Sequence, residues 1–223
     1  MKKQIFIGMA LMLAVMTAQP AAAFMEVPSY GATGWQTFSW TPDSDFTGDI
    51  GWLVSDWGDD EVESYLLVDN IIVGGTAYYG FETDPPPPLG YDFDGEASPV
   101  SSSAYGSGAF TPTEGTIMIE LDSVNGYSGF DTDPPYGYDG TDGSVFWLTG
   151  VSVADGQTLT FDWNFATNDY TPLQDFSLFL TDTGENLETY ELGTISNVPV
   201  PAAVWLLGSG LIGLLGLRKK ISA

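Results

Sequence analysis

The chain has no cysteine and no histidine, and its five Lys+Arg stand against 30 Asp+Glu. Those five cations sit only at the ends: Lys2 and Lys3 open the chain, and Arg218, Lys219 and Lys220 nearly close it. Between residues 4 and 217 there is no Lys, Arg or His, while every acid lies between Glu26 and Glu191. Each absence excludes a class of chemistry. Without His or Cys the chain cannot build an ordinary zinc site, a Ser-His-Asp triad or a cysteine nucleophile. Without Lys in the body, Schiff-base chemistry is excluded as well. Nucleic acid needs Lys or Arg to displace its counterions, so it is not a partner. No disulfide can form, so the core or a bound metal must hold the fold. No two body side chains can form a salt bridge, so the acids must be solvated, hydrogen-bonded or held by external cations.

What is present is a composition that folds. Hydrophobic residues make up 43% and aromatics 14%, too rich for a disordered acidic tail. The 27 Gly and 14 Pro favour many short turns over long helices. Residues 24–196 are enough for one domain with its own core.

The two ends read as addresses. Lys2-Lys3 form a positive n-region, Ile5 to Val15 a short apolar run, and Ala21-Ala22-Ala23 a small-residue cleavage site after Gln19-Pro20. Residues 1–23 are therefore expected to be a secretory signal peptide, with Ala21 and Ala23 read by signal peptidase and Phe24 the first mature residue. At the other end, residues 201–217 carry no charge and precede Arg218-Lys219-Lys220. As a helix they would span roughly 25 Å, a short membrane anchor with the basic cluster in the cytoplasm and the acidic body outside.

That second end, Pro199-Val200-Pro201-Ala202-Ala203-Val204-Trp205-Leu206-Leu207-Gly208-Ser209-Gly210-Leu211 with the basic cluster behind it, resembles the PEP-CTERM sorting signal of Gram-negative bacteria. Val200 stands where that family places Glu. The resemblance covers residues 198–220 and singles out Pro199, Pro201, Trp205, Gly208, Gly210, Arg218, Lys219 and Lys220. It implies processing by an exosortase, an integral-membrane protease, with loss of the hydrophobic tail. It also implies delivery to the cell surface or to an exopolysaccharide matrix, as in a biofilm. Residues 197–223 would then be a transient inner-membrane anchor, comparable to a GPI signal.

The body reads as strands. Leu159, Phe161, Trp163 and Phe165 alternate with Thr160, Asp162 and Asn164, the pattern of a half-buried antiparallel strand. Thr116–Leu121, Phe176-x-Leu178-x-Leu180 and Trp35–Trp40 alternate similarly. Tyr65–Val68, Asn70–Val73 and Ser144–Thr149 are denser apolar runs. About eight short strands separated by Gly, Pro and Asp predict an all-β fold, a β-sandwich of jelly-roll form. The segment Gly80-Phe81-Glu82-Thr83-Asp84-Pro85-Pro86, followed by Gly90-Tyr91-Asp92, returns as Gly129-Phe130-Asp131-Thr132-Asp133-Pro134-Pro135, followed by Gly137-Tyr138-Asp139. Its proline runs block strand pairing, so both copies are expected to be exposed loops. Three stretches are similar to jelly-roll carbohydrate-binding-like domains: Asp56 to Ile71, Thr113-Glu114-Gly115, and Leu159 to Phe176.

Three kinds of chemistry fit such a body. Calcium takes six to eight oxygens from carboxylate-rich loops, and the densest loop holds Asp56, Asp59, Asp60 and Glu61. Asp131, Asp133, Asp139 and Asp142, and Asp92, Asp94 and Glu96, are weaker candidates. Asp43-x-Asp45 begins like an EF-hand loop, but Val54 stands where its closing Glu would be. Glycan contact would use the tyrosines of the Pro-rich loops: Tyr78, Tyr79, Tyr91, Tyr136 and Tyr138. Glycoside hydrolysis needs two carboxyls about 5–10 Å apart, and Asp162 with Asp169 lies in the most patterned segment. The expectation is an exported surface or matrix protein with a structural, adhesive or glycan-contacting role and calcium as its only cofactor. A secreted carboxylate-dependent hydrolase is the alternative.

Overall fold

A computed structural model describes residues 24–57, 62–77, 81, 90–105, 108–123, 140–171 and 174–195. The expected signal peptide with Ala21 and Ala23, and the sorting segment from Pro199 to Lys220, lie outside the described residues. Among the described residues there is no helix, and so none long and apolar enough to cross a membrane.

The chain forms β1 (Met25–Val27), β2 (Gln36–Trp40), β3 (Phe46–Asp56), β4 (Ser64–Val73), β5 (Thr76–Ala77), β6 (Gly90–Asp94) and β7 (Glu96–Val100). These are followed by β8 (Ser103–Tyr105), β9 (Gly108–Phe110), β10 (Met118–Asp122), β11 (Asp142–Val153), β12 (Leu159–Thr167), β13 (Phe176–Asp182) and β14 (Leu187–Ile195). Sheet A has the order β1-β14-β13-β3-β11-β6, and sheet B the order β2-β12-β4-β10-β7 with β5 on β4. β8 and β9 form a hairpin of their own. The fold is all-β and sandwich-like, as its short, turn-bounded strands predict.

Four antiparallel ladders are nested in the chain: β3 with β13, β4 with β12, β6 with β11 and β7 with β10. The two outer pairings enclose the two inner ones. Successive members alternate between the sheets, as if one long hairpin had been rolled up.

The core lies between the sheets. Sheet A contributes Ile50, Trp52, Val54, Phe146, Leu148 and Phe179, and sheet B contributes Leu66, Val68, Leu121, Leu159, Phe161 and Phe165. Trp52 meets Phe161 edge-on at 5.2 Å, and Phe161 meets Phe179 at 5.0 Å. Each fully buried side chain of this size contributes roughly 1.5–3 kcal/mol, so this layer is what stabilises a chain without disulfides.

Two bulges keep the long strands in phase with that core. In β4, Leu66 and Val68 face it, and so do Ile71 and Val73, three residues rather than two further on. The extra residue falls at Asn70, whose φ is 51°, and the register against β12 shifts at the same place. The two runs read separately from sequence are therefore one strand with a bulge in the middle. In β11 the shift between Leu148 and Val151, at Gly150 with φ 73°, does the same for Val151 and Val153.

The outer faces differ. On sheet A, Leu178, Leu53 and Val145 form a cross-strand row and join Phe176 and Leu180 in a second buried apolar cluster, with Phe24, Trp147 and Leu187 packed against it. Phe176, Leu178 and Leu180 thus line the outer face, and the inter-sheet core takes Phe179 instead. The Trp147 ring lies across Gly51: a Cβ there would come within 2.6 Å of it. On sheet B the outer face is crossed by the β8–β9 hairpin and the chain after it. Tyr105 stacks on Tyr65 with centroids 3.4 Å apart, and Trp35 Nε1 donates to the Thr111 carbonyl at 3.0 Å.

Candidate functional site

Alternation with the core-facing Leu66 and Val68 puts Asp69, the last residue before the β4 bulge, on the outer face of sheet B, directly opposite Asp162 of β12. Asp69 is 0% exposed. Its Oδ2 accepts hydrogen bonds from Thr113 N at 2.6 Å, Glu114 N at 2.9 Å and Thr113 Oγ1 at 3.0 Å. Thr113 Oγ1 also lies 2.8 Å from Asp162 Oδ2, which accepts Asn70 Nδ2 at 3.0 Å. Asp162 Oδ1 accepts Thr37 Oγ1 at 2.7 Å. Thr113 Oγ1, with its single proton, thus bridges the two carboxylates. Three segments far apart in sequence therefore meet at this junction, through Asp69 and Asn70, Thr113 and Glu114, and Asp162. Its chemistry is a clamp: backbone N–H donors and a hydroxyl stabilise the buried Asp69 carboxylate beside the partly exposed Asp162, where no cationic side chain exists.

Asp162 and Asp169 do not form a glycosidase pair. Asp162 sits inside β12, Thr167 ends it, and Asp169 follows. At about 3.3 Å per residue the strand alone separates Asp162 from Thr167 by roughly 16 Å, beyond the spacing that hydrolysis uses. Asp169 Oδ1 instead accepts Tyr170 N at 2.6 Å.

Of the calcium quartet, Asp59, Asp60 and Glu61 lie outside the described residues. Asp56 ends β3, fully buried and in register with Asp142. Asp169 and Asp175 are buried too, in the loop before β13. Asp175 accepts Trp57 N at 3.2 Å and Ser64 Oγ at 2.6 Å. Among the weaker candidates, Asp131, Asp133 and Asp139 lie outside the described residues. Asp92 and Asp142 each accept the N–H of the next residue at 2.9 Å. Among the described residues, no group of three or more acids is arranged to hold a metal ion.

Of the glycan candidates, Tyr78, Tyr79, Tyr136 and Tyr138 lie outside the described residues, and Tyr91 is on the edge strand β6. The first copy of the repeated segment thus ends in a strand, its Gly90-Tyr91-Asp92 pairing with Thr149, Leu148 and Trp147. Tyr91 is 42% exposed and Phe93 46% exposed. Their rings stack at 5.8 Å and 19°. Phe93 was hidden in the sequence because Tyr-Asp-Phe-Asp reads as acidic loop, although alternate aromatics on one strand face are a visible signal. A second feature lies at the β2–β3 turn: a cavity of about 460 Å³ lined by Trp40, Asp43, Asp45, Asn186, Glu188 and Tyr190, among others. Tyr190 Oη donates to Glu188 Oε2 at 2.8 Å and accepts from Trp40 Nε1 at 2.9 Å. Burial, then the bond to Glu188, pushes the Tyr190 hydroxyl up to about 12.

The chain matches no family model, no curated protein and no solved structure.

Proposed function

We propose that this chain is an exported, non-catalytic glycan-contacting protein of the cell surface or exopolysaccharide matrix, whose body stacks neutral sugar rings on Tyr91 and Phe93. The observation that carries the glycan reading is that stacked pair. Two large rings stacked on an edge strand, each nearly half exposed, offer apolar ring surface that a folded protein normally covers. The charge of the chain selects the sugar. A body with 30 acids and no basic side chain between residues 4 and 217 repels uronate-rich polymers, so the partner is a neutral polysaccharide.

The rest of the reading rests on sequence. Signal peptidase and the secretion machinery act on residues 1–23, and an exosortase acts on the PEP-CTERM-like tail, leaving the body outside the inner membrane. Nested ladders support the jelly-roll form of the sandwich. Calcium is proposed as a stabiliser near Asp56, supported by the burial of Asp56, Asp169 and Asp175 where no cationic side chain is at hand. A melting temperature identical in EDTA and in millimolar calcium would remove calcium from the proposal. A hydrolase remains the alternative, and turnover on a polysaccharide panel that is lost in an Asp or Glu variant would establish it.

The central test is binding of the full chain to immobilised neutral and uronate-containing polysaccharides. Retention on a neutral polymer is expected, weakened about tenfold or more by Tyr91→Ala or Phe93→Ala with stability changed by less than about 0.5 kcal/mol. No retention on any neutral glycan, or equal retention by both variants, would overturn the proposal.

A further inference from the structure

The first described residue is already part of the fold. The Phe24 backbone nitrogen donates to Glu191 Oε2 at 3.2 Å, and its ring packs on Phe176 with centroids 6.5 Å apart. One residue later β1 begins, pairing in parallel with β14 from Met25 opposite Gly193. In the precursor that nitrogen is an amide. We infer that cleavage after Ala23 converts it into an ammonium that makes an ion pair with Glu191, so that export processing turns a hydrogen bond the precursor already makes into a charged one.

This inference rests on the cleavage reading, and composition gives it weight. Between residues 4 and 217 no side chain is cationic, so the new ammonium is the only positive charge of the mature body. The acceptor is in place before the charge exists, on the strand next to β1. Charge on the donor shortens such a bond and roughly doubles its strength. The Phe24 ring, anchored in the apolar cluster on the outer face of sheet A, holds the nitrogen at that spot and limits the entropy lost on pairing.

The absence of body lysines also makes the test clean. In the full chain expressed with export and purified in detergent, the N-terminal amine has only Lys219 and Lys220 as competitors for acetylation, and both lie in the tail. Acetylation removes the charge and keeps the N–H donor. It is expected to lower the melting temperature by about 2–4 °C in the native sequence and by less than about 1 °C in Glu191→Gln. Mass spectrometry of the exported protein fixes the start. A start other than Phe24 overturns the cleavage reading and the ion pair with it. A Phe24 start with equal lowering in both proteins, or with none, overturns the ion pair alone.

Discussion

Sheet A closes its outer face with Leu53, Val145 and Leu178, three apolar side chains in one row. Sheet B closes its outer face with Asp69, Asp162 and the hydroxyl of Thr113. Both solutions bury a sheet on two sides, but they tolerate error differently. The apolar row needs only volume and proximity, because dispersion and water exclusion have no preferred direction. The polar clamp needs each donor within hydrogen-bond geometry, because a buried carboxylate that loses its donors keeps its desolvation cost. The difference teaches how an acidic body without side-chain cations can bury carboxylates at all: backbone N–H groups of a crossing loop do what Arg or Lys would do elsewhere.

The strongest way to break the comparison is on the apolar side. Leu178→Ala removes a side chain that is 1% exposed and is expected to cost about 2–5 kcal/mol, seen as a lower denaturant midpoint at unchanged slope. A cost below about 1 kcal/mol would mean that the outer row is not a true second core. Asp69→Ala is next, at about 2–3 kcal/mol for the loss of hydrogen bonds to a charged acceptor. Its signature is local: hydrogen exchange at the Thr113 and Glu114 amides should accelerate well beyond that of the central strands. Uniform acceleration would refute the clamp as a distinct unit.

The smallest expected effect sharpens the contrast through pH. Burial, followed by a hydrogen bond to Glu63, holds the Tyr65 hydroxyl well above its ordinary value, and burial with Glu120 does the same for Tyr105. Tyr65 stands on the outer face of sheet B and Tyr105 on the hairpin that covers it. The folded state therefore binds these protons more tightly than the unfolded state. Their stabilisation is complete below about pH 10, the free tyrosine value, and falls as pH rises above it. Alkaline titration followed by exchange at the β8–β9 hairpin should show that cover loosening before the row on sheet A.

How much of this could be read from sequence depends on how many faces a strand buries. β12 was legible because Leu159, Phe161, Trp163 and Phe165 keep one period along one core. β13 misleads, since both of its faces are buried: Phe176, Leu178 and Leu180 alternate cleanly, yet the ring that enters the inter-sheet core is Phe179. β4 divides into two readings because the bulge at Asn70 resets the phase, and nothing short of the pairing partner reveals that. β14 went unread because its Glu-Thr-Tyr-Glu half is partly exposed beside β13. At the clamp, Asp162 was legible as a polar-face partner. Asp69 was not, because an acid inside Leu66–Ile71 gives no sign that the loop at Thr113 will reach back over it.

The parallel pairing of β1 with β14 has a consequence for geometry in space. Met25 to Val27 run alongside Gly193 to Ile195, so Phe24 and Ile195 lie only about three residues apart along the sheet edge, roughly 10 Å. They share one margin of sheet A, and β6 with Tyr91 and Phe93 forms the opposite margin. Five inter-strand steps separate the two, roughly 24 Å at about 4.8 Å each. The aromatic pair therefore stands on the edge of sheet A farthest from both Phe24 and Ile195.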